Sequence, residues 1–225
     1  MRTILESPLR FLLPLIPIAV FGGILFGSAG RWDLPMFWAY LGVFTALGFV
    51  GMLRAPDPGL VKERLRPGPG GKDYLSLVVG MPLVFGHLVV AGLDVGRFRW
   101  SDTIPFRLQL VALGCVAALL GWVMWGRGVN RFSSTVVRIQ KERGHHLITD
   151  GPYKYVRHPQ YIGVMVSLPC SALALGSWWS LVLAAAYLPL LIRRTVIEDR
   201  FLRENLEGYV GYVEKVRYRL MPGLW

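Results

Sequence analysis

Residues 162–192, IGVMVSLPCSALALGSWWSLVLAAAYLPLLI, decide the fold. At a rise of about 1.5 Å per residue this apolar run is too long for one untilted crossing of a hydrocarbon core about 30 Å thick. Near its centre stands Gly176-Ser177-Trp178-Trp179, which combines a turn signal with aromatics that prefer the membrane interface. The run therefore reads as a helical hairpin, with one long tilted helix as the alternative. The choice fixes the side of the membrane on which the polar tail lies.

Outward from this run, 53% of the chain is hydrophobic and the mean hydropathy is +0.44, which fits outer faces that meet lipid. The apolar segments predict six spans, over residues 11–28, 35–53, 74–93, 106–126, 162–176 and 178–193. The fold class expected is all-α, a polytopic integral membrane protein with about six transmembrane helices. Residues 11–28 run on into Gly30 and Arg31 without a small-residue cleavage pattern, so the first segment is expected to persist as a helix rather than act as a cleaved signal. Lys and Arg follow the same topology. Arg2 and Arg10, the cluster Arg54 to Lys72, the group Arg127 to Arg157 and the tail arginines from Arg193 onward fall on one side of a six-span arrangement. Arg31, Arg97, Arg99 and Arg107 fall on or near the other. Both termini are thus expected in the cytosol.

The net charge of +11 raises nucleic acid as a partner, but no binding-module pattern organises these cations, and anionic phospholipid headgroups account for them. Cys115 and Cys170 fall inside spans and read as small apolar side chains. His87, also inside a span, is either a ligand contact or an interhelical hydrogen-bonding group. The 54–73 loop, with Pro56-Asp57-Pro58-Gly59 and Pro67-Gly68-Pro69-Gly70-Gly71, is expected to be irregular, a lid or a solvated connector. Residues 1–127 form a four-span region with little concentrated polarity. Residues 128–225 carry the chemistry.

In that second part, Gly151-Pro152-Tyr153-Lys154-Tyr155-Val156-Arg157-His158-Pro159-Gln160-Tyr161 leads into the hairpin. Pro159 suits the first turn of a helix and pushes His158 toward an extended conformation at its mouth. The amides of Gln160, Tyr161 and Ile162 with the positive helix end favour an anion, and His158 and Arg157 can add to it. The competing reading is a basic, aromatic interfacial belt without a ligand. His145 and His146 are adjacent and lack zinc-ligand spacing, so no metal is expected, and either can line a pocket. In the tail, Arg194 and Glu198 share a helix face and are expected to pair. Glu198 and Asp199 can receive an ammonium or ribose hydroxyls, and Arg217 can face an acidic acceptor.

The ordered set Gly151-Pro152-Tyr153, Arg157-His158-Pro159, Tyr161-Ile162-Gly163, Glu198-Asp199, then Gly208, Tyr209, Tyr212, Arg217, Arg219 and Pro222 resembles the isoprenylcysteine carboxyl methyltransferase family, with phospholipid methyltransferases as more distant kin. It covers about residues 128–225. The resemblance implies S-adenosylmethionine held between cytosolic loop and tail, with a lipophilic acceptor entering from the bilayer of a bacterial cytoplasmic membrane. It implies a cofactor pocket of His145, His146, Leu147, Gly151, Tyr153, Arg157, His158, Pro159, Tyr161, Glu198 and Asp199. Arg217, Arg157 and Arg194 are the candidates at the reacting groups. The acceptor most simply implied is an isoprenylcysteine-like carboxylate, with a phospholipid amine or small thiol as alternatives. Asp199 departs from a common Glu-Glu pair by a shorter side chain. A sterol reductase and a lipid-binding scaffold are the remaining readings.

Overall fold

The computed structural model describes residues 12, 15–16, 18–54 and 58–225. Arg2, Arg10, the start of the first expected span and Pro56-Asp57 lie outside the described residues. The described residues form an all-helical protein with no named strand, and an isolated bridge pairs Lys72 with Val137.

Helix α1, Ile18–Ala29, opens with a π turn and ends at Gly30. Helix α2, Pro35–Leu53, is followed by the short α3, Pro58–Leu65. Helix α4, Tyr74–Gly92, runs on as a π turn to Phe98. Helix α5 is Phe106–Val129 and α6 is Pro159–Ala174. Helix α7, Trp178–Ala186, continues through Tyr187 into α8, Leu188–Asn205, and α9 is Tyr209–Lys215. Among the described residues four helices are long and apolar enough to cross a membrane: Pro35–Leu53, Tyr74–Phe98, Phe106–Val129 and Trp178–Asn205. Helices α1 and α6 are shorter. The last helix, at 28 residues, is about 42 Å long and extends beyond a single hydrocarbon thickness.

The hairpin is built at residues 174–180. Gly176 adopts φ +83°, and its N–H reaches Leu173 O at 3.0 Å while the Ser177 N–H reaches Ala172 O at 3.0 Å. This pair of bonds closes the exposed carbonyls of α6 in a Schellman arrangement that needs a left-handed residue. Ser177 then caps α7 by accepting from the Ser180 N–H at 3.0 Å, which satisfies an otherwise free amide. Its hydroxyl donates to Asp94 at 2.5 Å, and Ser101 does the same. The end of α4 is thereby tied to the turn. Leu168 and Ala172 of α6 pack against Ala184 of α7, so the hairpin reading describes the chain and the single tilted helix does not.

The main core joins α1, α2, α4 and α5 through Leu25, Phe37, Leu41, Leu88 and Val116, with Leu175 from the hairpin. Helices α5 and α6 approach closely at Gly163, where a Cβ would stand 2.4 Å from Val123 Cγ2. Small residues allow this contact, because helix association in lipid relies on packing rather than on water exclusion. His87 is buried and spans helices, with Nε2 2.9 Å from Ser171 Oγ, which itself donates to Tyr40 at 2.8 Å.

The 54–73 segment is only in part the irregular loop expected: residues 58–65 form α3, while residues 66–73 are turn and coil. Pro58 occupies the first helical position, where its missing N–H costs nothing, and Leu60, Lys62, Glu63, Arg64 and Leu65 are helix formers. Glu63 of α3 is buried, accepts from Ser134 at 2.8 Å and lies 3.4 Å from Arg138. Lys72 and Val137 exchange backbone bonds at 2.9 and 3.1 Å. The segment is fastened to the loop that precedes α6.

Candidate active site

The loop between α5 and α6 and the tail after α8 meet through backbone bonds. Arg157 N–H donates to Tyr218 O at 3.0 Å and His158 N–H to Arg219 O at 2.9 Å. Tyr212 of α9 donates its hydroxyl to Tyr153 O at 2.6 Å. Between these segments and the helices lies a cavity of about 410 Å³. Its upper wall is polar, and its lower arm runs among Phe21, Phe44, Leu77, Val116, Leu120 and Leu168. One space thus joins a cationic mouth to an apolar interior.

His158 stands at the entrance of α6 with φ −124° and is 5% exposed. Its ring stacks on Tyr161, with centroids 5.7 Å apart. Its Nδ1 lies 3.8 Å from Glu198 Oε1 and its Nε2 3.5 Å from Asp199 Oδ1, yet Nε2 is buried without a hydrogen-bond partner. Of the helix-entrance amides, that of Tyr161 is used by His158 O at 3.1 Å, so it is not free for an anion as the sequence suggested. The expected Arg194–Glu198 pair is bridged: Arg194 Nε donates to the Tyr161 hydroxyl at 2.7 Å, and that hydroxyl donates to Glu198 Oε2. Among the described residues Glu198 Oε1 accepts no hydrogen bond.

Asp199 faces a different set. It is 1% exposed and takes Arg157 Nε at 2.8 Å, Arg203 Nε at 3.1 Å, Arg219 Nε at 3.1 Å and the Tyr209 hydroxyl at 3.0 Å. Arg157 also donates to the carbonyls of Val216 and Arg217, both at 2.7 Å. Its fork is committed to the tail, so the bidentate clamp on a ligand read from the sequence would require breaking these bonds. Burial and then the Asp199 charge push the Tyr209 hydroxyl well above its ordinary pKa, which keeps it a donor.

The loop histidines pack around one ring. His145 stacks on Phe132 at 4.5 Å and His146 meets its edge at 5.0 Å. The Gln140 N–H donates to His145 Nδ1 at 3.2 Å. Burial, and secondly His146, pull the His145 pKa down to about 4. Among the described residues no group of three or more His, Cys, Asp or Glu side chains converges on a point.

Of the residues singled out by sequence, His145, His146, Leu147, Tyr153, Arg157, His158, Tyr161, Arg194 and Glu198 line the cavity, whereas Gly151, Pro159, Asp199 and Arg217 do not. Gly151, at φ +59°, sits against Val129 and Trp125. Pro159 starts α6, and its carbonyl accepts from Trp122 Nε1 at 2.9 Å. The Arg217 side chain is exposed. Sequence reasoning missed Arg64, Arg127 and Gln160 in the lining. The first two were absorbed into the topological charge pattern, and the available signal was their position at a helix end beside an apolar face.

The isoprenylcysteine carboxyl methyltransferase (ICMT) family matches residues 110–204. The chain is 32% identical over 190 residues to the protein-S-isoprenylcysteine O-methyltransferase of Schizosaccharomyces pombe, covering 80% of each chain. It is 28% identical over 172 residues to the cobalt-zinc-cadmium resistance protein CzcN of Cupriavidus metallidurans, covering 73% of this chain and 67% of that one. It is 25% identical over 170 residues to the Delta(14)-sterol reductase TM7SF2 of Mus musculus, covering 67% of this chain and 40% of that one.

Proposed function

Because the chain belongs to the isoprenylcysteine carboxyl methyltransferase family and is an integral-membrane methyltransferase, we propose that it moves a methyl group from S-adenosylmethionine to the carboxylate of an isoprenylcysteine-like acceptor at the cytosolic membrane face. The observation that carries this reading is the single cavity joining a polar mouth to an apolar arm. A charged donor enters from the cytosol and a lipophilic acceptor from the bilayer. Six spans with both termini cytosolic suit the arginine-rich loop and tail that form the mouth.

When bound, S-adenosylmethionine would supply an electrophilic sulfonium methyl for a carboxylate oxygen, with S-adenosylhomocysteine as the leaving group. The residues fit its methionyl end. His158 Nε2 is a buried polar atom lacking a partner, and the α6 entrance favours a carboxylate beside it. Glu198 keeps Oε1 unbonded, 3.8 Å from His158 Nδ1, as a receiver for an ammonium. Tyr161 and Arg194 hold Glu198 in place. Alignment and exclusion of water then supply the rate.

A carboxylate acceptor needs no base, which favours it over an amine or thiol. His145 is held neutral with Nδ1 occupied by an amide, and burial pushes the Tyr153 hydroxyl up to about 12. Neither takes a proton readily near neutral pH. Calorimetric titration of the detergent-solubilised protein with S-adenosylmethionine and S-adenosylhomocysteine tests the proposal. Saturable binding that His158→Ala weakens supports it, and no binding by folded protein sinks it.

A further inference from the structure

We propose that Arg64 and Arg127 form the seat for the acceptor's carboxylate, with the acceptor's apolar part running down the cavity arm beneath them. This rests on the methyltransferase reading above and assigns two residues outside the motifs that carried it. Both side chains line the cavity. Both are partly buried, and among the described residues they lack the carboxylate partner that the buried arginines around the cavity have. Arg138 is flanked by Glu63 and Glu142, Arg157 by Asp199, and Arg194 reaches Glu198 through Tyr161. Among the described residues the Arg127 side chain has no hydrogen-bond partner, and its Nε is buried. The Arg64 side chain donates, among the described residues, only to Ser133 Oγ, at 3.3 Å.

The two cations are close enough to repel each other. Burial, with Arg194 adding to it, lowers the Arg64 pKa. Cations brought together in a poorly solvated space call for an anion between them. A third donor stands nearby. The Tyr153 hydroxyl accepts from Gln160 Nε2 at 2.9 Å and Asn130 Nδ2 at 3.2 Å, which leaves its own proton to donate. A carboxylate, with about four lone-pair sites, can accept from this set and keep an oxygen open to the methyl.

Register along α5 favours the acceptor over the cofactor as the owner of this anion. Val116, Leu120 and Arg127 all line the cavity, and their spacing of four and seven residues places them on one helix face. Arg127 therefore heads the wall of the apolar arm. An amphiphile with its head there lays its tail along Leu120 and Val116 toward Phe44. Arg64 comes from the other side, on α3, which Glu63 fastens over the cavity.

The test measures binding of an N-acetylated S-isoprenylcysteine and of its carboxamide to full-length protein in detergent, together with S-adenosylmethionine affinity. Wild type, Arg64→Gln, Arg127→Met and Arg127→Lys are compared. The seat predicts about a tenfold or larger loss of carboxylate affinity in Arg64→Gln and Arg127→Met. Carboxamide and S-adenosylmethionine affinities should change less than about twofold, and Arg127→Lys should keep most carboxylate binding, since charge rather than packing is at stake. Variants that bind the carboxylate like wild type overturn the seat, as do variants that lose S-adenosylmethionine in parallel, which would give the pair to the cofactor. A wild type that binds no S-adenosylmethionine overturns the underlying methyltransferase reading instead. Arg64→Gln, on the short α3, keeps the test open if Arg127→Met does not fold.

Discussion

Glu198 and Asp199 are neighbours on one helix and belong to two different regions. Asp199 lies in a closed network in which Arg157, Arg203, Arg219 and Tyr209 all point at one carboxylate. Glu198 lies in an open one, with Tyr161 on one oxygen and, among the described residues, no hydrogen bond on the other, which stands 3.8 Å from His158 Nδ1. In the first region every strong donor has an acceptor. In the second, Glu198 Oε1 and Arg127 retain unused bonding capacity, and His158 Nε2, 3.5 Å from Asp199 Oδ1 but without a hydrogen bond, stands where the two regions meet. Buried polar groups are almost always satisfied in proteins, so a saturated network reads as architecture and a deficient one as a place prepared for a ligand.

Removing the centre of the closed region should have the largest effect. Asp199→Ala leaves three arginines facing a vacated buried position, and losing one partner of a buried ion network costs about 3–5 kcal/mol. Thermal unfolding in detergent should show a large drop, with the tail becoming protease-sensitive. A variant as stable as wild type would break the distinction between the two regions.

The open region should respond in binding rather than in stability. Glu198→Gln and His158→Ala should each weaken S-adenosylmethionine by about 1.5–3 kcal/mol, the value of a charge-assisted hydrogen bond, while unfolding shifts far less than in Asp199→Ala. Titration calorimetry beside the unfolding curve checks this. Equal losses of stability at positions 198 and 199 would merge the two regions into one.

A smaller effect concerns pH. The folded protein holds His145 at about 4, against an ordinary histidine value of about 6.5. Between these values the unfolded chain binds more protons than the folded one, so stability falls as pH drops from about 6.5 toward about 4 and is flat above. Protonation also removes the Nδ1 acceptor used by the Gln140 amide. His145→Gln should flatten that slope. A wild-type unfolding midpoint that tracks the variant at every pH would contradict it.

The sequence disclosed the hairpin because its signals are local: a glycine for the left-handed turn, a serine to cap the next helix, tryptophans at the interface. It disclosed the residues that surround the cavity because the loop and tail motifs lie at its mouth. It did not disclose which of them are saturated. Asp199 and Arg157 read as ligand-binding groups, yet each is the other's partner across 42 residues, and only folding brings the two together. Arg64 and Arg127 had the opposite fate. Their topological role near span ends is a sufficient reason for a cation, and the second role depends on α3 folding back over the cavity. That helix was hidden by the prolines and glycines around it, although Pro58 at a first helical position starts a helix as readily as it breaks one.

The smallest effect expected is at Arg217, the arginine that the sequence placed nearest to the acceptor. Its side chain is exposed and outside the cavity, while its carbonyl receives Arg157. Truncation to alanine keeps that carbonyl, so Arg217→Ala should alter stability by less than about 0.5 kcal/mol and leave S-adenosylmethionine affinity unchanged. Methyl transfer to an isoprenylcysteine carboxylate, measured as initial rates across acceptor concentration, should keep its KM. The comparison with Arg127→Met is the informative part. Both substitutions remove one positive charge from the same face of the protein, so a general electrostatic attraction for an anionic acceptor would weaken in both and recover with salt. A specific seat is lost only in Arg127→Met. A raised KM in Arg217→Ala, with Arg127→Met unaffected, would move the acceptor's carboxylate to the tail and reverse the assignment of the open and closed regions at that end of the site.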